Sequence, residues 1–254
     1  MPSSYFRLSH HPRSTSPHHG RCPKGDFVMA DFARVKALAF DYYGTIADKQ
    51  ALAAEIDERF PGQGAAFAKL WFAQIQRYCF QVGQMERHIT WDELTIAGFN
   101  FACADMGLEV PHVLRDQWIK ADTRLPVYPE VPEALARLAT RFGLYVLSMA
   151  TPWMIEKSQA NAGIAEYFKD VISAEPHKVY KPGRAAYEVG QREIGVAVEE
   201  LGFVSGNAFD VIGAANFGYP TIWVRRYGQA LDELGQEPDL VVKNLKEMAE
   251  ALGT

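Results

Sequence analysis

From Pro126 to the end of the chain, short apolar runs alternate with stretches of helical periodicity, and this alternation limits the fold more than any other feature. The pattern predicts helix 130–140, strand GLYVLS at 143–148, helix 152–162, strand DVISA at 170–174 and helix 183–194. It continues with strand LGFVSG at 201–206, helix 209–217, strand PTIWV at 220–224, a short strand LVV at 240–242 and a helix over 243–252. Repeated strand–helix units of this kind specify a parallel sheet with helices on both faces. One more apolar run, VKALAF at 35–40, stands far upstream and ends on Asp41. Between it and Pro126 the apolar spacing is helical, punctuated by Pro61-Gly62 and Pro111. The first strand is thus separated from the others by an all-helical insert. An insert so placed can cover the carboxyl ends of the strands, where open α/β sheets bind ligands. The expected organisation is an α/β core formed by 29–47 and 126–254, a helical cap at 48–125 and a tail at 1–28.

The tail differs in composition from everything after it. Pro, Ser and His dominate, with four basic side chains (Arg7, Arg13, Arg21, Lys24) against one acid, Asp26. Pro12 and Pro17 break any amphipathic helix there, and no apolar signal core is present. The segment reads as disordered, with Met29 as an alternative start and its histidines as no more than weak metal binders. Over the whole chain the net charge is −5 and the pI about 5.8, which gives no reason to expect a nucleic-acid partner. No run approaches the ~18 apolar residues of a membrane span. Cys22, Cys79 and Cys103 are scattered and odd in number, neither a disulfide framework nor a zinc spacing, and read as reduced thiols of a cytoplasmic protein.

Polar side chains gather at the carboxyl ends of the predicted strands. The first strand delivers Asp41 and then Thr45, the second Ser148, the loop after the third Lys181, and the fourth Ser205, Asn207 and Asp210. A single such residue is ordinarily a turn former or a helix cap. Asp41 is harder to explain in that way, because it directly ends a buried strand and its charge needs partners. Lys181 is one available partner.

FDYYGT, VLSMAT, VYKPGRAAY and FVSGNAFD resemble, in order and spacing, the four motifs of the haloacid dehalogenase superfamily. Residues 35–245, helical insert included, are most similar to its L-2-haloacid dehalogenase branch, as in FPGQG…LW, LPVYPEVPEAL and FGYPTIWVRR. The resemblance implies a Rossmann-like parallel sheet with an inserted helical cap, and a homodimer joined through that cap. Phosphatases of the superfamily carry an acid two positions after the nucleophile, where this chain has Tyr43. They also hold Mg²⁺ with an acidic pair in the fourth motif, where this chain has only Asp210. Mg²⁺ prefers a near-octahedral set of oxygen ligands, so neither a metal nor another cofactor is expected.

The resemblance implies that Asp41 attacks C2 of a small carboxylic acid, forming an ester that water hydrolyses. Lys181 would keep Asp41 ionised, and Asp210 with Asn207 would position or activate the water. Ser148, with backbone N–H groups next to Tyr42 and Met149, would bind the substrate carboxylate. Thr45, Ser205 and Tyr187 would orient the charged groups, and Tyr43 and Phe72 would form pocket wall. For Tyr187, ordinary helix packing is an equal alternative.

Two positions depart from the branch. Its members carry an arginine after the tryptophan of the LW pair, where this chain has Phe72, and an asparagine after the second-motif serine, where it has Met149. Both are thought to receive the departing halide. Arg77, Arg87 and Arg124 are the cations that the sequence offers instead. The expected reaction is therefore either 2-haloacid hydrolysis with a differently built halide site, or attack on another activated carbon such as that of L-azetidine-2-carboxylate.

Overall fold

The computed structural model describes residues 32–254, so the expected tail and its histidines lie outside the described residues. Six strands form one parallel sheet in the order β3-β2-β1-β4-β5-β6. They are β1 (Ala37–Phe40), β2 (Gly143–Ser148), β3 (Phe168–Ser173), β4 (Leu201–Ser205), β5 (Thr221–Val224) and β6 (Leu240–Val242). The α/β expectation holds, and the strand ends differ from the sequence reading by no more than two residues. β1 lies at the centre, and all four of its side chains are buried. Burying Leu38 and Phe40 contributes about 1.5–3 kcal/mol each, which explains why so short a segment holds its place.

The chain runs outward from β1 through β2 to β3, then returns to β4 on the opposite side. Strand order therefore reverses between β1 and β4, and a crevice opens at their carboxyl ends. Asp41 follows the last residue of β1, and Ser205 ends β4. In-register pairing of Phe40 with Val204 places both at one level. Five helices pack on the sheet: α5 (Val131–Leu138), α6 (Pro152–Ala162), α7 (Arg184–Ile194), α8 (Ala208–Phe217) and α9 (Leu245–Ala251).

Four helices intervene between β1 and α5: α1 (Ala51–Arg59), α2 (Gly64–Gln84), α3 (Trp91–Met106) and α4 (His112–Ile119). Their shared interior is aromatic. Phe67, Trp71, Phe99 and Trp118 meet mostly edge to face at 5.0–6.4 Å. Thr90 and Glu93 close a capping box at the start of α3, which fixes where Trp91 begins. The connections into and out of this block run side by side: Ala47 bridges Val127, and Asp48 N–H donates to Pro126 O. Tyr180, ahead of α7, ties the far side of the block to the sheet. Its hydroxyl accepts from Ile89 N–H at 2.9 Å and donates to Ile89 O at 2.6 Å. Among the described residues, no helix is long and apolar enough to cross a membrane.

Candidate active site

Asp41 is the first residue beyond β1, and its N–H still donates to Val204 O. The chain must then turn back sharply, and Gly44 does so at φ +87°, a conformation that costs glycine little. The turn brings Thr45 Oγ1 within 2.9 Å of Asp41 Oδ2, to which it donates, while accepting from Gly206 N–H at 2.7 Å. Gly206 is required at that point: a Cβ there would collide with the Gly44 carbonyl. Arg226, buried and paired with Glu130 at 2.6 Å, donates to Thr45 O from the other side.

Asn207 occupies the N-cap of α8 but makes no side-chain cap. Its amide instead donates to Asp41 Oδ2 at 2.7 Å and to Tyr43 O at 3.1 Å. Forgoing a cap costs a helix about 1 kcal/mol, so the orientation of Asn207 toward Asp41 is not a by-product of helix formation. The α8 N-terminus also favours negative charge close by.

The two oxygens of Asp41 are consequently unlike. Oδ2 takes the bonds from Thr45 and Asn207, with Ser205 Oγ more distant at 3.5 Å. Oδ1 faces Lys181 Nζ, also at 3.5 Å, and the side chain stays partly exposed. Lys181 is buried and donates to Leu147 O at 2.6 Å and to Asp210 Oδ2 at 2.9 Å. Its ammonium also lies 4.8 Å from the centre of the Phe203 ring. Asp210 is fully buried and accepts from Tyr187 Oη at 2.8 Å. Burial pushes its carboxyl above the usual aspartate value; the Lys181 ammonium works against that rise, and Asp41 adds to it.

Six sequence-selected residues, Asp41, Tyr43, Phe72, Ser148, Met149 and Asn207, line a cavity of about 40 Å³ beneath the helical block. Thr45, Ser205, Lys181 and Asp210 stand behind them. Ser148 Oγ also accepts from Ala150 N–H, a turn role. Two more side chains, Tyr42 and Tyr187, do not line the cavity either. Tyr42 is fully buried, with its hydroxyl donating to Ser158 Oγ at 3.0 Å, and Tyr187 acts only on Asp210. For Tyr187, packing and orientation of a charged group both occur: it packs in the core beside α8 and donates to Asp210. A larger cleft of about 750 Å³ lies between the end of α2 and segment 178–185. It touches Lys181 but neither Asp41 nor Asp210, whereas Asp41 lines the small cavity.

The arginines that the sequence offered in place of Phe72 do not line this cavity. Arg124 pairs with Glu55 at 2.9 Å, Arg87 lines the larger cleft, and Arg77 is exposed. The cavity's cation is Lys49, which sequence reasoning missed. Nothing local distinguishes a lysine in IADKQ from a solvated loop residue. Its neighbour Asp122 was missed for the same reason, lying in KADTR. Asp122 is buried, and burial pushes its carboxyl up to about 6, with Trp91 and the Lys49 ammonium opposing that rise. The Trp91 indole N–H lies near enough to favour the charged carboxylate but meets no partner in hydrogen-bond alignment.

Comparison with known proteins places this architecture in context. Residues 35–218 match the family model of haloacid dehalogenase-like hydrolases. The chain is 34% identical over 221 residues to an (S)-2-haloacid dehalogenase of Pseudomonas sp. (strain YL), covering 87% of this chain and 95% of that protein. It is also 34% identical over 210 residues to haloacetate dehalogenase H-2 of Moraxella sp. (strain B), covering 82% and 94%. Among solved structures, the L-2-haloacid dehalogenase of Xanthobacter autotrophicus with chloropropionic acid covalently bound superposes with a TM-score of 0.80. That match is 28% identical and covers 86% of this chain and 98% of the other.

Proposed function

The chain belongs to the haloacid dehalogenase-like hydrolases, and we propose that it hydrolyses 2-haloacids of the (S) configuration, using Asp41 as a covalent nucleophile without a metal. The observation that carries this reading is the asymmetry of the Asp41 carboxylate. Oδ2 is held by two short hydrogen bonds and Oδ1 is not, so Oδ1 is the attacking oxygen. It displaces the halide from C2, the halide leaves with the bonding electron pair, and an aspartyl ester results. Oδ2 then becomes the ester carbonyl oxygen. The donors already on it, Thr45 and Asn207, stabilise the negative charge that develops there as water adds. Asp210 is the base available for that water, and Lys181 offsets its charge and that of Asp41. An ammonium between the two carboxylates supplies the positive charge that a bound cation would otherwise contribute. Asp210 takes one proton as the water adds; collapse of the adduct breaks the acyl C–O bond, the departing alkoxide takes that proton back and leaves as the 2-hydroxyacid, and the second water proton is lost to solvent as the Asp41 carboxylate is regenerated.

In this reading residues 48–125 act as a cap over the core, and Ser148 with the backbone N–H groups near Tyr42 and Met149 receives the substrate carboxylate. It also carries a cytoplasmic homodimer joined through the cap, where Phe80, Met85 and Ile96 supply exposed apolar surface. Incubation with racemic 2-chloropropionate, without added metal, is expected to release chloride from the (S) enantiomer. Failure to release halide from a panel of chloro-, bromo- and fluoroacids would reject the assignment, and turnover of L-azetidine-2-carboxylate instead would replace it with ring opening.

A further inference from the structure

A carbon–halogen bond that breaks heterolytically leaves an anion in a confined, poorly hydrated space, and that anion requires positive charge or hydrogen-bond donors. The cavity wall has neutral donors in Gln76, Trp91 and Ser148, while Tyr43 and Asn207 already donate to Asp122 O and Asp41, but it holds little positive charge. Phe72, Ile75, Met149 and Phe209 are apolar, and Asp41 and Asp122 are acids. Lys181 is spent on Leu147 O and Asp210. Among the described residues lining the cavity, Lys49 is the cation that remains.

Lys49 is built into the site. It leaves the loop after β1, and its Cε and Nζ come within 2.8 and 3.2 Å of the place a side chain on Gly44 would occupy. The absent side chain at Gly44 thus leaves room for the lysine to reach the nucleophile's turn. Nζ lies 5.5 Å from the centre of the Phe72 ring, within the range in which an aromatic face attracts a cation. The residue is half-buried overall, but protein atoms pack around its ammonium. Among the described residues, Lys49 Nζ has no hydrogen-bond or ion-pair partner, so its donors are unspent. Burial draws that ammonium below the ordinary lysine value, and Asp41, Asp122 and Asp210 lie near enough to oppose the fall.

We propose that Lys49, steadied on the Phe72 ring, receives the departing anion in this chain. The inference rests on the dehalogenase reading and assigns that reading its leaving-group residue. Asp41 Oδ1 bonds to C2, the carbon–halogen bond breaks, and the halide takes the electron pair and settles against the Lys49 ammonium; no proton moves in this step. The arrangement also discriminates between substrates. A strained ring amine is cationic when protonated and would face repulsion from Lys49, whereas a halide is attracted.

The test compares Lys49→Met and Lys49→Arg with the parent enzyme in single-turnover formation of the aspartyl ester from 2-chloro- and 2-bromopropionate. Loss of one charge-stabilising donor costs about 100-fold in rate. Lys49→Met is expected to lose about that with chloride, the poorer leaving group, and less with bromide, with KM little changed. Lys49→Arg is expected to recover most of the loss. Equal losses for both halides with a raised KM would overturn the proposal by assigning Lys49 to the substrate carboxylate, and unchanged rates would overturn it outright. A second readout needs no turnover. Line broadening of the chloride nucleus in sodium chloride is expected with the parent and not with Lys49→Met. If the parent broadens the line but releases no halide from any haloacid, the dehalogenase reading fails while Lys49 stands as an anion site. If the parent does not broaden it, the Lys49 proposal fails.

Discussion

Lys181 Nζ donates to Asp210 Oδ2 at 2.9 Å, closer than its 3.5 Å approach to Asp41. The lysine is therefore first the partner of a fully buried acid and only second the neighbour of Asp41. Removing one member of a buried pair costs about 3–5 kcal/mol, because the other charge is left without compensation. Lys181→Met should lose that much stability in denaturant titration at neutral pH. The loss should shrink in acid: the uncompensated Asp210, its folded pKa raised further above the unfolded value, then binds its proton and no longer carries a buried charge. A loss independent of pH would indicate packing rather than charge as its cause.

The covalent route makes an isotopic prediction. A single turnover in heavy-oxygen water, with enzyme in excess, should place the label in the Asp41 carboxylate and leave the hydroxyacid unlabelled. Label appearing in the first product molecule would mean direct attack by water. Asp41→Asn should form no ester, and chelators should leave the rate of the parent unchanged.

Asp122 gives a stability prediction of defined sign. Burial raises its carboxyl from 3.8 to about 6, so in that interval the folded state holds more protons than the unfolded state. Stability contributed at this site is therefore present below the unfolded pKa and lost as pH rises through about 6. A shift of this size corresponds to about 3 kcal/mol. Asp122→Asn should be more stable than the parent above pH 6, by up to that amount, and equal to it near the unfolded pKa of 3.8. Thermal unfolding across this range measures the difference.

Lys49 gives a kinetic prediction. Burial draws its ammonium below the ordinary lysine value, opposed by Asp41, Asp122 and Asp210. Raising pH removes the proton and with it the charge offered to the leaving anion. The rate of ester formation should thus fall on an alkaline limb below the ordinary lysine range. Arginine stays charged in proteins, so Lys49→Arg should move that limb upward.

A backbone substitution tests the frame around Asp41. Gly206→Ala would press a methyl group onto the Gly44 carbonyl, displacing the turn that carries Thr45 and the N-terminus of α8. Because Asn207 and Thr45 both hold Oδ2, kcat should fall by about 100-fold or more, on the scale of a lost oxyanion donor. A fall in kcat without a comparable fall in melting temperature would locate the effect in the site.

The positions of Asp41, Ser148, Ser205 and Asn207 were legible in the sequence because strand periodicity is local. A polar residue that ends an apolar run lies at the edge of the sheet, and the order of runs decides which edge. Lys181 and Asp210 could be assigned to the same edge on that basis. Their mutual pairing could not, since it depends on how α7 and α8 pack. The division of labour between the two Asp41 oxygens was illegible for the same reason: it follows from where the Asn207 amide and the Thr45 hydroxyl end up in space.

Phe72 shows the limit most clearly. The resemblance to the dehalogenase branch marked a cation missing from α2, and Arg77, Arg87 and Arg124 were the substitutes that the sequence offered. The tertiary structure placed those arginines elsewhere and brought Lys49 from the loop after β1 onto the Phe72 ring. Periodicity determined the parallel sheet, the helical insert and the edge on which Asp41 stands, because hydrophobic burial constrains every residue along a strand or helix. The charge facing the cavity was decided only by packing between segments, because a single ammonium on a flexible stem imposes no pattern on its neighbours in sequence.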